Sequence, residues 1–210
     1  MVQRHELFDR ELVKKRALRN AAEPDRATRV PAEENDRFFF IGPIEPDKGA
    51  RELAEAARAA SVTLTMIGDG SLRAQLAEVY PEVTFPGWRS REEIGEMIGS
   101  ARAPVLATRY PEPFGLVVAE ALSTGVPVIL PEASLLAPEV TARRLGLLCD
   151  MQRPEPLQAA IVQMRDLPAE AIRAMSLRAA DPAEALATTP EGWADDLIAL
   201  YKGCLRVRMY

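Results

Sequence analysis

Residues 37–70 read RFFFIGPIEPDKGARELAEAARAASVTLTMIGDG, and this stretch decides the fold class. Phe38-Phe39-Phe40-Ile41 is an unbroken apolar run that stops at Gly42. A strand buried on both faces of a parallel sheet has that composition, whereas a half-exposed strand would alternate. From Lys48 to Ala60 the apolar positions fall at 50, 53, 54 and 57, which is helical spacing. Residues 62–67 are rich in β-branched, strand-forming residues, and they end at Gly68-Asp69-Gly70. Strand, helix and strand in this order form a βαβ unit.

The rhythm continues outward. A short helix fits 72–79, and a third strand fits Val83-Thr84-Phe85, closed by Pro86-Gly87. Ser90 with Glu93 three residues on makes a capping box for a helix with Ile94, Met97, Ile98 and Ala101 on one face. Strands are expected at 104–108, 126–130 and 147–149, with an apolar helix at 115–123. Elements alternate roughly every 20–25 residues, which predicts an α/β fold: a Rossmann-like parallel sheet with helices on both faces. Ligands of such sheets bind at the carboxyl ends of the strands. Here those ends are Gly42, residues 68–70, Gly87 and residues 108–115. Leu157, Ala160, Ile161 and Met164 form one helical stripe in the tail; Trp193, Leu197, Leu200, Tyr201 and Cys204 form another, and both read as core contacts. Residues 1–36 read as an N-terminal helix (6–22) and a polar linker broken by Pro24 and Pro31, leaving 37–210 as the Rossmann-like domain with C-terminal helices.

Bulk composition narrows the function. The chain has 210 residues, 48% hydrophobic and 27% charged, with net charge -5. A nucleic-acid footprint over the whole chain is therefore absent. The basic run Lys14-Lys15-Arg16 with Arg19 fits a solvated helix face, with a lipid or partner contact as the alternative. No apolar run reaches the ~18 residues of a membrane span, and no secretory h-region opens the chain. Cys149 and Cys204 stand far apart, and His5 is the only histidine. A Cys/His zinc site and a His-activated nucleophile are thereby disfavoured, and the cysteines fit small core residues in a reducing cytoplasm.

Two common phosphate loops fail on spacing. Residues 42–49, GPIEPDKG, lack the GK[ST] ending of a Walker loop, and GDGSLR at 68–73 lacks the third glycine of GxGxxG. The stretch RYPEPFGLVVAEAL at 109–122 is more informative. It runs from a strand end into a helix opened by Gly115, whose first-turn N–H groups and dipole make an anion site. Glu112 precedes that helix and Glu120 lies about a turn and a half inside it. Two carboxylates flanking an anion site match the order sugar, phosphates, ribose, because carboxylates accept well from paired hydroxyls.

This stretch resembles the E-x7-E motif of the large family 4 of retaining glycosyltransferases (glycosyl transferases group 1), which have two Rossmann-like domains in the GT-B fold. Further pieces stand in the family's order: Phe40-Ile41-Gly42 with Lys48-Gly49, Met66-Ile67-Gly68-Asp69-Gly70, residues 83–87, Glu120-Ala121-Leu122 with residues 125–129, and Glu139 with Gly146-Leu147-Leu148. The resemblance covers about residues 38–165 and points to the C-terminal, donor-binding domain. It implies that Glu112 bonds the transferred sugar and that the backbone of Phe114, Gly115 and Leu116 holds the distal phosphate. It further implies that Glu120 takes the ribose hydroxyls, Lys48 neutralises the leaving diphosphate, and Gly42 and Gly68 line the site. The backbone at Trp88 and Arg89 would meet the base, although Trp88 also fits a simple rim hydrophobe. The implied ligand is a nucleoside-diphosphate sugar such as a UDP- or GDP-sugar, with no cofactor and no metal, in the cytoplasm.

One position departs from the family. An Arg usually follows the first-strand glycine as a second cation on the diphosphate, and here Pro43 stands there. Arg89 and Arg109 are candidate replacements. The resemblance also implies an acceptor-binding N-terminal domain, missing or separate, which residues 1–36 are too short to form. The isolated chain is thus expected to be inactive on an acceptor, and peripheral membrane contact through a parent enzyme stays open. The competing expectation is a catalytically silent, glycosyltransferase-like interaction or nucleotide-binding module.

Overall fold

The computed structural model describes residues 19–23, 28–110, 114–151 and 153–207. Strands β1 (Arg37–Ile41), β2 (Leu64–Ile67), β3 (Thr84–Gly87) and β4 (Ala101–Pro104) form a parallel sheet in the order β3-β2-β1-β4. Strands β5 (Val128–Pro131) and β6 (Gly146–Cys149) form a parallel pair. A parallel bridge between Val105 and Ile129 joins the two sets, so the strand order across the molecule is 3-2-1-4-5-6. This is the doubly wound order whose ligand crevice opens where the winding reverses, between β1 and β4.

Side-chain alternation along β1 supplies both cores. Phe38 and Phe40 point to one face and Phe39 to the other. The first face packs helices α1 (Ala50–Ala59), α2 (Arg73–Val79) and α6 (Pro154–Asp166) through Leu53, Ala57, Leu76, Ile161 and Met164. The second packs α3 (Arg91–Ile98), α4 (Leu116–Ser123) and α5 (Ala137–Arg143) through Ile98, Val118, Leu122 and Val140. The expected capping box closes α3: Glu93 N–H donates to Ser90 Oγ at 3.3 Å and Ser90 N–H to Glu93 Oε2 at 2.8 Å.

Three sequence expectations need correction. The fourth strand lies at 101–104, not 104–108. Arg102 hid its beginning, since a charged residue reads as loop. Arg102 is nevertheless only 6% exposed. Its guanidinium donates to the carbonyls of Met164 (3.1 and 3.0 Å), Arg165 (3.2 Å) and Leu167 (2.9 Å), capping the C-terminal end of α6. Burial lowers its pKa from the usual arginine value, opposed by nearby Glu33.

Second, the tail stripes differ. Leu157, Ala160, Ile161 and Met164 are buried as expected. On α8 (Pro190–Val207), however, Trp193 is 39% and Tyr201 61% exposed, and Leu197 and Leu200 are only half-buried. The periodicity correctly indicates one apolar face, but helix α7 (Ala169–Ala179), which packs on the 3-10 turn Ala32–Glu34 and on α4, and the 3-10 turn Pro182–Glu184 stand between the sheet helices and α8 in sequence, and the α8 face stays half-exposed. The Cys204 side chain lies outside the described residues.

Third, residues 19–22 are not helical. Ala21 bridges Thr188, with Ala22 N–H to Thr188 O at 3.0 Å and Thr188 N–H to Asn20 O at 3.1 Å. The rest of the helix expected at 6–22, His5 and the run Lys14-Lys15-Arg16 lie outside the described residues. The polar stretch after it is anchored: Val30 and Ala32 are buried, and Arg29 pairs with Glu33 at 2.9 Å and donates to Ser176 Oγ at 2.6 Å.

Candidate functional site

The loops that follow β1, β2 and β3 pack backbone against backbone. Gly42 N–H donates to Ile67 O (3.0 Å), and Gly68 N–H donates to Gly87 O (3.0 Å). At Gly68, φ is +139°, and a Cβ would lie 2.0 Å from the Gly42 carbonyl oxygen. Only glycine permits that approach. The 3-10 turn Pro46–Lys48 and Gly49 then carry the chain into α1; a Cβ on Gly49 would lie 2.1 Å from Ala107 O. This second contact seats Lys48 beside the loop after β4.

Across from Lys48 stands the N-terminal end of α4. Gly115 is its N-cap in the left-handed region, φ 71°, with no side-chain cap. The first intrahelical bonds run from Val118 N–H (2.9 Å) and Ala119 N–H (3.3 Å) to Gly115 O, so the N–H groups of Leu116 and Val117 precede the helical ladder. Between these elements lies a cavity of about 420 Å³, lined by Gly42, Pro43, Lys48, Phe114, Gly115 and Leu116 together with Asn20, Thr108 and apolar neighbours. A second cavity of about 340 Å³ shares Ile41, Gly42 and Pro43 with it and continues to Gly68, Asp69, Trp88 and Arg89. Trp88 is 75% exposed, an open aromatic plate at the far end.

The structure thus brings together Gly42, Lys48, Phe114, Gly115 and Leu116 in one cavity and Gly68, Trp88 and Arg89 in the next. Glu120 lies deeper on α4, outside both linings, with its side chain 25% exposed. Burial foremost raises its pKa above the usual carboxylate value; Arg91 opposes that shift and Glu23 adds to it. Glu112 lies outside the described residues. Of the two candidate replacement cations, Arg89 lines the second cavity, while Arg109 pairs with Glu52 at 3.1 Å. Asp69 accepts from Gly70 N–H at 2.8 Å, a local turn bond.

Arg91 and Asn20 escaped the sequence reading. Arg91 Nη1 lies 3.2 Å from the Glu23 carboxylate, and Nη2 lies 3.9 Å from that of Glu120. Its place directly after the capping Ser90 was the only local hint. Asn20 had none, because Thr188 brings it to the cavity. Chemically, the two cavities offer a cation and helix N–H groups for phosphates and an aromatic plate for a ring, with the Glu120 carboxylate outside both linings. Among the described residues no three Cys, His, Asp or Glu cluster as metal ligands, and no helix is long and apolar enough to cross a membrane.

Residues 22–179 match the profile of the glycosyl transferases group 1 family. The chain belongs to that family, and its sheet and two helical layers are one Rossmann-like half of a GT-B fold. It is similar to a GDP-mannose-dependent alpha-mannosyltransferase of Mycobacterium tuberculosis (strain CDC 1551 / Oshkosh), with 37% identity over 109 residues, 52% of this chain and 29% of the relative. Among solved structures it resembles the sucrose-phosphate synthase of Thermosynechococcus elongatus, with TM-score 0.72 and 22% identity over 94% of this chain and 55% of that one. It also resembles Anabaena HepE in complex with UDP, with TM-score 0.65 and 20% identity over 82% of this chain and 50% of that one. The chain therefore spans about a third of that curated relative and about half of those solved chains.

Proposed function

We propose that this chain is the donor-binding domain of a retaining, metal-independent glycosyltransferase that uses a nucleoside-diphosphate sugar. One observation carries the reading: Lys48 and the open N-terminal end of α4 line a single cavity that continues to the Trp88 plate. The diphosphate sits between Lys48 and the N–H groups of α4, the base lies toward Trp88 and Arg89, and Glu120 takes the ribose hydroxyls. Glu112, just before Phe114, bonds the sugar. In transfer, the bond from the anomeric carbon to the diphosphate oxygen breaks and a bond to an acceptor hydroxyl oxygen forms. The acceptor proton leaves with the diphosphate. Charge growing on the diphosphate is met by Lys48 and the helix, the role a metal would otherwise fill. The Cys149 thiol is buried, and its pKa, pushed up to about 12 chiefly by burial, keeps it an inert core group rather than a nucleophile; we place the domain in the cytoplasm. The names of relatives that use GDP-mannose or were solved with UDP support the ligand class.

Acceptor binding belongs to a second domain, so we propose that the isolated chain does not transfer sugar to an acceptor, because positioning the acceptor can supply ~7–11 kcal/mol of the barrier. The second reading, a silent nucleotide-binding or interaction module, is favoured by Pro43, an uncharged ring in the wall of both cavities. Calorimetric titration with UDP, GDP, ADP and TDP separates them. Binding of one nucleotide tighter than ~1 mM supports the donor site. Silence toward all four leaves the module reading.

A further inference from the structure

Residues 19–23 stand outside the sheet and its helical layers, yet they reach the cavity. Three ties hold them. Backbone pairing with Thr188 fixes Asn20 and Ala22. Arg19 donates to Ala185 O at 3.0 Å and pairs with Glu139 at 2.9 Å. At the other end, the Glu23 carbonyl accepts from Arg91 Nη2 at 2.8 Å, and its carboxylate lies 3.2 Å from Arg91 Nη1.

These ties set the segment along α4. Glu23 lies at Arg91 and so beside Glu120, while Asn20 shares a cavity wall with Gly115, Leu116 and Val117. Three extended residues span about 10 Å. The five helical residues from Gly115 to Glu120 span about 7.5 Å. The strap therefore runs beside the first turns of α4 in the same sense, and its two ends match the two ends of that stretch. At the Asn20 end the wall is otherwise apolar or glycine, apart from Lys48 and Thr108. A carboxamide there offers two N–H donors at the place where the diphosphate would lie.

We propose that Asn20 is a ligand-binding residue: its carboxamide donates to the diphosphate of the nucleotide sugar, and residues 19–23 are a strap that completes the donor site. This rests on the donor-site reading above and extends it to a segment outside the helical layers. The side chain of Asn20 takes no part in the three ties, so replacing it leaves the strap in place.

The test is a titration of the full chain with UDP, GDP and the free nucleosides uridine and guanosine, on wild type, Asn20→Ala and Asn20→Asp. Loss of one hydrogen bond to a charged group weakens the bound diphosphate about 10-fold in Asn20→Ala. Asn20→Asp, which sets a carboxylate against the phosphates, weakens it further, and that excess shrinks in high salt. Nucleoside binding and melting temperature stay at wild-type values. Diphosphate affinity unchanged in both variants overturns the inference. So does an equal loss for nucleosides, which would mark a merely structural role. If the wild type binds no diphosphate, the donor-site reading itself fails and this inference falls with it.

Discussion

Arg91 lies 3.9 Å from the Glu120 carboxylate while its guanidinium pairs more closely with Glu23, at 3.2 Å. Glu120 is thus only partly compensated, and burial holds its pKa above the ordinary carboxylate value. The folded chain consequently binds that proton more tightly than the unfolded chain. The associated stability is present below the unfolded pKa and lost as pH rises through the raised folded value. Glu120→Gln is expected to melt above wild type at neutral pH, with the difference closing on acidification. Glu120→Ala is expected to weaken nucleotide and nucleotide sugar alike, by roughly 1–3 kcal/mol. Melting curves across pH, with calorimetry, check both; a Glu120→Gln domain less stable than wild type at pH 7 contradicts the burial argument.

Glu112 and Lys48 should fail differently. Glu112 is assigned beyond the phosphates, where only the sugar reaches, so Glu112→Ala weakens the nucleotide sugar and spares the bare nucleotide. Lys48→Ala weakens both, and the loss shrinks with added salt if the cavity stays open to solvent. A two-by-two titration of variants against ligands reads this out. Equal damage to bare nucleotide by Glu112→Ala and Glu120→Ala would remove the assignment of sugar side and ribose side.

Arg102 is expected to be worth more to stability than any exposed ion pair here. Arg102→Met leaves the carbonyls at the end of α6 without their cation, and each buried acceptor stripped of its donor costs ~1–3 kcal/mol. Arg102→Lys should recover little, because a single ammonium lacks the planar fork that serves several carbonyls at once. Urea denaturation gives the numbers. A Lys variant as stable as wild type would show that charge alone, not the fork, caps the helix.

Gly68→Ala should damage both fold and site. Its Cβ would fall 2.0 Å from the Gly42 carbonyl oxygen, at a φ of +139°. Strain and overpacking of this kind cost about 1–3 kcal/mol each. The expected result is a lower urea midpoint together with weakened nucleotide binding, since relief must push the first two loops apart. Full nucleotide affinity in a destabilised Gly68→Ala would show that the loop contact serves the fold only.

What could be read from sequence was what is local. The strand–helix rhythm, the capping box at Ser90 and the glycine-opened helix at 115 each declare themselves within a few residues. Most of the missed features depend on distant partners. Arg102 looks like loop until the end of α6 arrives to take its charge. The α5 helix, Ala137–Arg143, hides behind Pro138, which its first turn accommodates. The stripe on α8 states that one face is apolar without stating what covers it. Asn20 reaches the cavity because Thr188, far along the chain, pairs with its backbone and distant partners hold its neighbours Arg19 and Glu23.

The seam between the two strand sets is thinly bonded along the backbone, although both apolar cores run across it. Among the described residues, β4 and β5 are joined through the Val105–Ile129 bridge and the Leu106 N–H to Ile129 O bond of 2.9 Å. Lys48 rides on the four-strand slab, whereas α4 leads directly into β5. A diphosphate gripped from both sides would therefore be a rivet across that seam, fastening one strand set to the other. In that sense the ligand is also a mechanical part, and the slowest amide protons of β5 and β6 would report its arrival before any chemistry begins.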